Sequence, residues 1–264
     1  MKIGFIGLGN MASALIGGII NNQIIEADQI IGADVFEAAR EHAKEQFQIH
    51  ISANNKEVVK QAEILVLAVK PQFYPIVLDE IKDVVSKEQL IISIAPGKTI
   101  EWLSGYLGKS QKIVRCMPNT PALVGEGCTG ICYSESVNEK ELSDVTAIIN
   151  SIGKTYPVTE HQMDAVVAVS GSSPAYVFML IEAMADAAVL EGLPRNTAYE
   201  MAAQAVLGSA KMVLETGKHP GQLKDMVCSP AGTTIEAVKI LERQGFRSCV
   251  IEAMGACADK SRSL

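Results

Sequence analysis

The 264-residue sequence predicts an α/β protein in two parts: a doubly wound parallel sheet over residues 1–159, then an all-helical domain over residues 160–264. Three observations carry this. In the first part, short aliphatic runs ended by turn chemistry alternate with amphipathic stretches. Strand-like runs vanish after about Glu160. The stretch GLGNMA places Gly7 and Gly9 directly after a strand and at the opening of a helix. Strands separated by helical crossovers return right-handed to one sheet, so the alternation implies a parallel order.

Residues 2–6, 29–33, 64–69, 90–95 and 112–116 read as buried strands, each a short aliphatic or β-branched run. Residues 54–62 and 74–85 have helical periodicity. In the second part, residues 174–191, 194–216, 233–242 and 247–260 read as helices rich in Ala, Met and Leu. Pro174 and Pro194 suit first-turn positions, and Gly192 and Gly217 suit helix stops. A helical domain of about a hundred residues has little room to bury so much apolar surface within itself, which predicts interlocking subunits.

Composition excludes several function classes. At 48% hydrophobic and net charge −7, with lysines and arginines dispersed, the chain shows no nucleic-acid footprint, and a small-molecule partner is expected. The longest uncharged stretch, residues 165–181, is broken by Gly171 and Pro174 and falls short of the roughly 20 apolar residues a bilayer requires. With no secretory signal pattern, a soluble cytoplasmic protein is expected. Six cysteines without a CxxC pair and four histidines without HExxH predict buried, reduced thiols and no metal site.

In GLGNMA, Gly7 suits a tight turn, Gly9 a close approach of backbone to a diphosphate, and Ala12 the contact of helix with strand. This is the dinucleotide fingerprint of a Rossmann-type domain. Asp34, ending the second strand, is the candidate for the adenosine ribose. Its charge repels a 2'-phosphate by about 3 kcal/mol at about 5 Å and an effective dielectric near 20, favouring NADH over NADPH, although Arg40 lies close enough in sequence to soften this. In SPAGTTIEA, Thr233 and Glu236 form a capping-box pattern, so a helix begins there with free amides able to receive a carboxylate.

The stretches GFIGLGNMA, LAVKPQ, ISIAPG, RCMPNTPALVGEG, SGSSPAY, EGLPR and HPGQLKDMVCSPAGTTIEAVKILERQGFR, in that order, resemble the pyrroline-5-carboxylate reductase family along nearly the whole chain. The resemblance implies reduction of (S)-1-pyrroline-5-carboxylate to L-proline, the last step of proline biosynthesis, by NADPH or NADH. It also implies a Rossmann domain followed by a helical domain that forms homodimers, often assembled into decamers. By the same resemblance Ile6, Gly7, Leu8, Gly9, Asn10, Met11, Asn55, Ala68, Val69, Lys70, Pro71, Ile94, Ala95 and Pro96 line the cofactor, with Asn119 and Thr120 near its ring; Asp34, read from its strand end, joins them but departs from the small hydroxyl residue or arginine of members that use the phosphorylated cofactor. Glu160, Asn119, Ser229, Gly232, Thr233 and Thr234 face the substrate, and the Thr234 hydroxyl hydrogen-bonds the imine nitrogen. Ser173 and Ala231 stand where the family usually has glycine; a left-handed residue at Ala231 would cost on the order of 1 kcal/mol. Two rivals are a β-hydroxyacid dehydrogenase, whose catalytic lysine is followed four residues on by asparagine where Lys211 here is followed by Glu215, and a non-catalytic NAD(H)-binding protein of the same fold.

Overall fold

The computed structural model describes residues 1–263. The chain runs β1 (Ile3–Ile6), α1 (Asn10–Asn21), β2 (Ile30–Ala33), α2 (Glu37–Phe47), β3 (His50–Ser52), α3 (Asn55–Gln61), β4 (Ile64–Leu67), α4 (Tyr74–Ile81), β5 (Leu90–Ser93), α5 (Ile100–Leu107), β6 (Lys112–Met117), β7 (Gly127–Tyr133), α6 (Glu139–Asn150) and β8 (Gly153–Pro157). It continues through α7 (Met163–Val166), a π turn (Val167–Gly171), α8 (Ser173–Leu190), α9 (Arg195–Thr216), α10 (Pro220–Val227), α11 (Thr233–Arg243) and α12 (Phe246–Arg262).

One eight-stranded sheet has the order β3-β2-β1-β4-β5-β6-β7-β8. All four residues of β1, β2, β4 and β5 are buried, as expected of strands covered on both faces. Successive side chains divide between two cores. Ile3, Phe5, Val66, Ile92 and Val114 pack with Leu15, Ile16, Ile19 and Ile148, whereas Ile6, Leu65, Leu67, Ile91 and Ile113 pack with Val58, Leu78, Ile81 and Leu103.

The expected sheet was wholly parallel, and the observed one is not. β7 pairs antiparallel with β6, and β8 then runs parallel to β7. The physical reason is the connection: a single 3-10 turn, Thr120–Val124, joins β6 to β7, too short for a crossover, so the chain reverses. α6 supplies a crossover between β7 and β8. β3 and β8 are not among the expected strands, and β7 is expected only as an extended segment around Cys128 and Cys132. β3 is three residues long and not buried, and β8 alternates intermediate and exposed positions without an aliphatic run. All six cysteines are free, but only Cys116 and Cys132 are buried; Cys249, on α12, is exposed, which corrects the expectation of buried thiols.

By internal contacts the chain divides into two units, Met1–Ser172 with the segment from Cys257 onward, and Ser173–Ala256. The C-terminal segment is tied to the first unit by Ser261 Oγ, which donates to Asp164 Oδ1 at 2.6 Å, and by Cys257 Sγ, which donates to Ser172 Oγ at 3.2 Å. The second unit is entirely helical, as expected, with α10 in addition. Its α8 and α9 pack together, where small Ala185, Ala198 and Ala202 are the buried apolar side chains. Large apolar side chains remain outside: Phe178 is 62% exposed, Leu190 87%, Leu214 68% and Ile251 69%. The stretch Glu160–Leu190 is long and apolar enough to cross a membrane by length and composition. It is not one regular helix, since the π turn separates α7 from α8.

Tyr74 braces the carboxyl ends of two central strands. Its fully buried hydroxyl donates to Leu67 O at 2.6 Å and lies 3.1 Å from Ser93 Oγ, and burial drives the phenol far above its ordinary pKa. Tyr74→Phe is expected to cost about 1–2 kcal/mol, measured by urea unfolding at one fixed protein concentration. The exposed apolar helices predict that the protein sediments as a dimer or larger at micromolar concentration; a concentration-independent monomer would contradict this.

Candidate active site

Gly7 is the pivot of the nucleotide end. Its φ is +95°, and a Cβ there would lie 2.9 Å from the backbone of Ala68 and Val69, so the turn after β1 packs backbone to backbone against the end of β4. The Gly7 N–H donates to Ala33 O at 2.8 Å. Leu8 is buried over Gly32, where any side chain would come within 2.5 Å of it. The Leu8 N–H donates to Asp34 Oδ2 at 2.8 Å, and the Phe36 N–H to Asp34 Oδ1 at 2.9 Å. Asp34 is thus fixed at the rim of the turn, with Arg40 Nη1 donating to its carbonyl at 2.8 Å.

Gly9 is the N-cap of α1, with extended φ/ψ, no side-chain cap and no acid in the first turn, so the helix's first amides have no partner within the helix. Space beyond Gly9 is open: a Cβ there would meet nothing within 4 Å. Above this helix end lies a cavity of about 500 Å³ lined by Gly9, Asn10 and Met11, by Ala68, Val69, Lys70 and Pro71 after β4, by Ile94, Ala95 and Pro96 after β5, and by Pro118 and Thr120 after β6. It opens at the carboxyl ends of the strands where the order turns between β1 and β4, the switch point of the sheet. Lys70 is the one ionisable side chain among these lining residues. The uncapped α1 terminus, an open cradle over glycine and one cation together fit a diphosphate.

The cavity brings together most of the nucleotide residues expected from sequence, and adds Pro118. Others stand apart. Asn55 opens α3, and its Nδ2 donates to Glu80 Oε2 at 2.8 Å. Asn119 is buried with both amide ends committed: Nδ2 donates to Ser170 O at 3.0 Å, and Oδ1 accepts from the Cys128 N–H at 2.9 Å. Glu160 Oε1 accepts from the Ile100 N–H at 2.7 Å and from Arg115 Nη1 at 2.8 Å. That carboxylate borders a separate groove with Cys132, Thr159 and Gln162. No sequence signal marked the Arg115 pairing, because its partners lie far apart along the chain.

In the helical unit, a turn from Ser229 to Gly232 leads into α11, closed by the Gly232 N–H donating to Ser229 O at 3.0 Å. Pro230 and Ala231 occupy its centre, and Ala231 has φ +57°, the left-handed conformation that costs a non-glycine residue about 1 kcal/mol. A Cβ on Gly232 would lie 2.3 Å from Ser229 Oγ, so only glycine lets that hydroxyl sit against the helix start. The expected Thr233–Glu236 capping box is absent. Gly232 is the N-cap, no side chain caps the helix, and Glu236 pairs with Lys239 at 3.3 Å. Helix geometry begins one residue too early for Thr233 to act as cap, which leaves the first amides without a side-chain acceptor. Thr234 is half-buried beside them and Thr233 exposed. Lys211 is exposed and pairs with Glu215 at 3.5 Å.

Fold and cavity together define an α/β protein of the nucleotide-dependent oxidoreductase class, with a helical unit appended. Residues 2–97 match a family model described as NADP oxidoreductase, coenzyme F420-dependent, and residues 160–264 match one described as pyrroline-5-carboxylate reductase dimerisation. An Escherichia coli K12 protein named pyrroline-5-carboxylate reductase is 51% identical over 263 residues, covering 100% of this chain and 98% of the relative. A Plasmodium falciparum pyrroline carboxylate reductase solved with NADP bound superimposes with a TM-score of 0.91 at 36% identity, over 100% of this chain and 97% of that one. A Coxiella burnetii pyrroline-5-carboxylate reductase does so with a TM-score of 0.92 at 37% identity, over 99% and 97%. The chain belongs to the pyrroline-5-carboxylate reductase family.

Proposed function

We propose that this protein reduces (S)-1-pyrroline-5-carboxylate to L-proline with NADH or NADPH, in the cytoplasm, as a homodimer formed through residues 160–264. The observation that carries the reading is the uncapped α1 terminus under a cavity of about 500 Å³, in a chain 51% identical along its whole length to a pyrroline-5-carboxylate reductase.

The amides at the start of α1 and the Lys70 ammonium hold the diphosphate, while Ala68, Val69, Ile94, Ala95 and Pro96 shield the ring end from water. Bound there, the nicotinamide nucleotide supplies a hydride. The free amides of Thr233 and Thr234 and the positive end of α11 receive the substrate carboxylate, with Ser229 packed behind them. The Thr234 hydroxyl hydrogen-bonds the imine nitrogen and relays a proton from water, since a threonine is itself too weak an acid to supply one. Most of the rate then comes from positioning, which can contribute several kcal/mol of the barrier. Asn119 serves this site by fastening the Pro118–Thr120 segment through its two backbone bonds.

Two backbone N–H groups hold the Asp34 carboxylate at the ribose end, where it disfavours a 2'-phosphate and so favours NADH. The exposed apolar helices of the second unit suit a subunit interface, and assembly of dimers into a decamer is the family-like extension.

The test is imine-dependent oxidation of NADH and NADPH by wild type and by Thr234→Ala. Wild type is expected to turn over with a preference for NADH, and Thr234→Ala to lose at least about tenfold in kcat with nucleotide Kd unchanged. Nucleotide binding without imine-dependent oxidation refutes the reading. Asp34→Ser is expected to raise kcat/KM for NADPH relative to NADH, and an unchanged ratio places Asp34 away from the ribose.

A further inference from the structure

We infer that Glu160 is a positioning residue for the nucleotide cavity: one carboxylate oxygen clamps the first amide of α5 to Arg115 of β6 and so sets the spacing of the two strand-end loops that form one wall. The inference rests on the reading that this cavity holds a nicotinamide nucleotide.

The geometry is specific. Oε1 of Glu160 accepts from both the Ile100 N–H and Arg115 Nη1. Ile100 is the first residue of α5, and the loop it terminates carries Ile94, Ala95 and Pro96 from the end of β5 to the helix. Thr99, the N-cap, accepts from the Trp102 N–H at 3.0 Å, so its side chain leaves the Ile100 N–H to Glu160. Arg115 lies mid-sheet, opposite Ser93 of β5 and Cys132 of β7, three residues before Pro118, which with Thr120 reaches the cavity. Both sides of the clamp therefore lead directly into cavity wall.

Energetics make the clamp obligatory. The Arg115 side chain is 6% exposed, and Glu160 is its only ion-pair partner among the described residues. A buried guanidinium stripped of its counter-charge must draw in water or move, and either shifts β6. The Cys132 thiol beside the pair is pushed up to about 11, first by burial and then by the neighbouring Glu160 carboxylate, with Arg115 acting the other way. Glu160 itself borders the separate groove rather than the nucleotide cavity. It acts through Arg115 and α5, not by touching substrate.

The experiment is intrinsic NADH and NADPH fluorescence titration of free enzyme, which needs no imine, alongside KM for the imine and thermal unfolding. Glu160→Gln is expected to raise Kd for both nucleotides about three- to tenfold, with KM for the imine within twofold and cooperative unfolding retained. In an Arg115→Met background the same change is expected to alter Kd less than twofold, because the clamp is already broken. Raised KM for the imine with unchanged nucleotide Kd would overturn the inference in favour of direct substrate contact. A lowered Tm with unchanged Kd would overturn it in favour of a purely structural pair. Wild type that binds neither nucleotide would overturn the cavity reading itself, and the inference with it.

Discussion

The nucleotide end depends on one backbone-to-backbone approach, that of Gly7 to Ala68 and Val69. No side chain fits in that gap, and the φ of +95° excludes one again on conformational grounds. Because the turn lies flat against β4, α1 starts directly after its N-cap Gly9, and residues of the loops after β4, β5 and β6 line the cavity at its amide end. Leu8 buried on Gly32 locks the turn from beneath, and Asp34 holds it from the side through the Leu8 N–H. A residue with a cofactor role in prospect is thereby also a structural tie.

The same physics recurs in the helical unit. Gly9 and Gly232 are both glycine N-caps with nearly the same backbone angles, φ −78° and ψ −172° against φ −79° and ψ 171°, and neither helix has a side-chain cap. A Ser, Thr or Asp there would occupy one of the free amides, for only a few tenths of a kcal/mol over glycine. In both helices the first amides are therefore left without a side-chain acceptor, which is what the proposed diphosphate and carboxylate roles require. Ala231 at φ +57° adds strain to the second loop, in keeping with the concentration of backbone strain at functional segments.

Local pattern made much of this legible. The five buried parallel strands announce themselves as aliphatic runs, whereas most cavity-lining residues were legible only through the family resemblance, and the fold brings them together at one rim of strand ends. What escaped was non-local or weakly patterned. β8 has no aliphatic run and is a strand because β7 pairs with it. Asn119 carries a binding-type side chain, yet partners nine and fifty-one residues away consume both of its ends. The Thr233–Glu236 pattern matched a capping box in composition, but a one-residue shift in where the helix begins decided otherwise.

The sequence by itself determined the fold class, the glycine turn, the helical second half and the family, because these rest on periodicity, on local conformational demands and on motifs contiguous in the chain. Only the tertiary structure decided the reversal of β7 and β8, the fastening of Asp34 and Asn119, and the pairing of Glu160 with Arg115. Each of these depends on which distant backbone amide or charge a polar side chain meets once the sheet has assembled, and no spacing along the chain encodes that meeting.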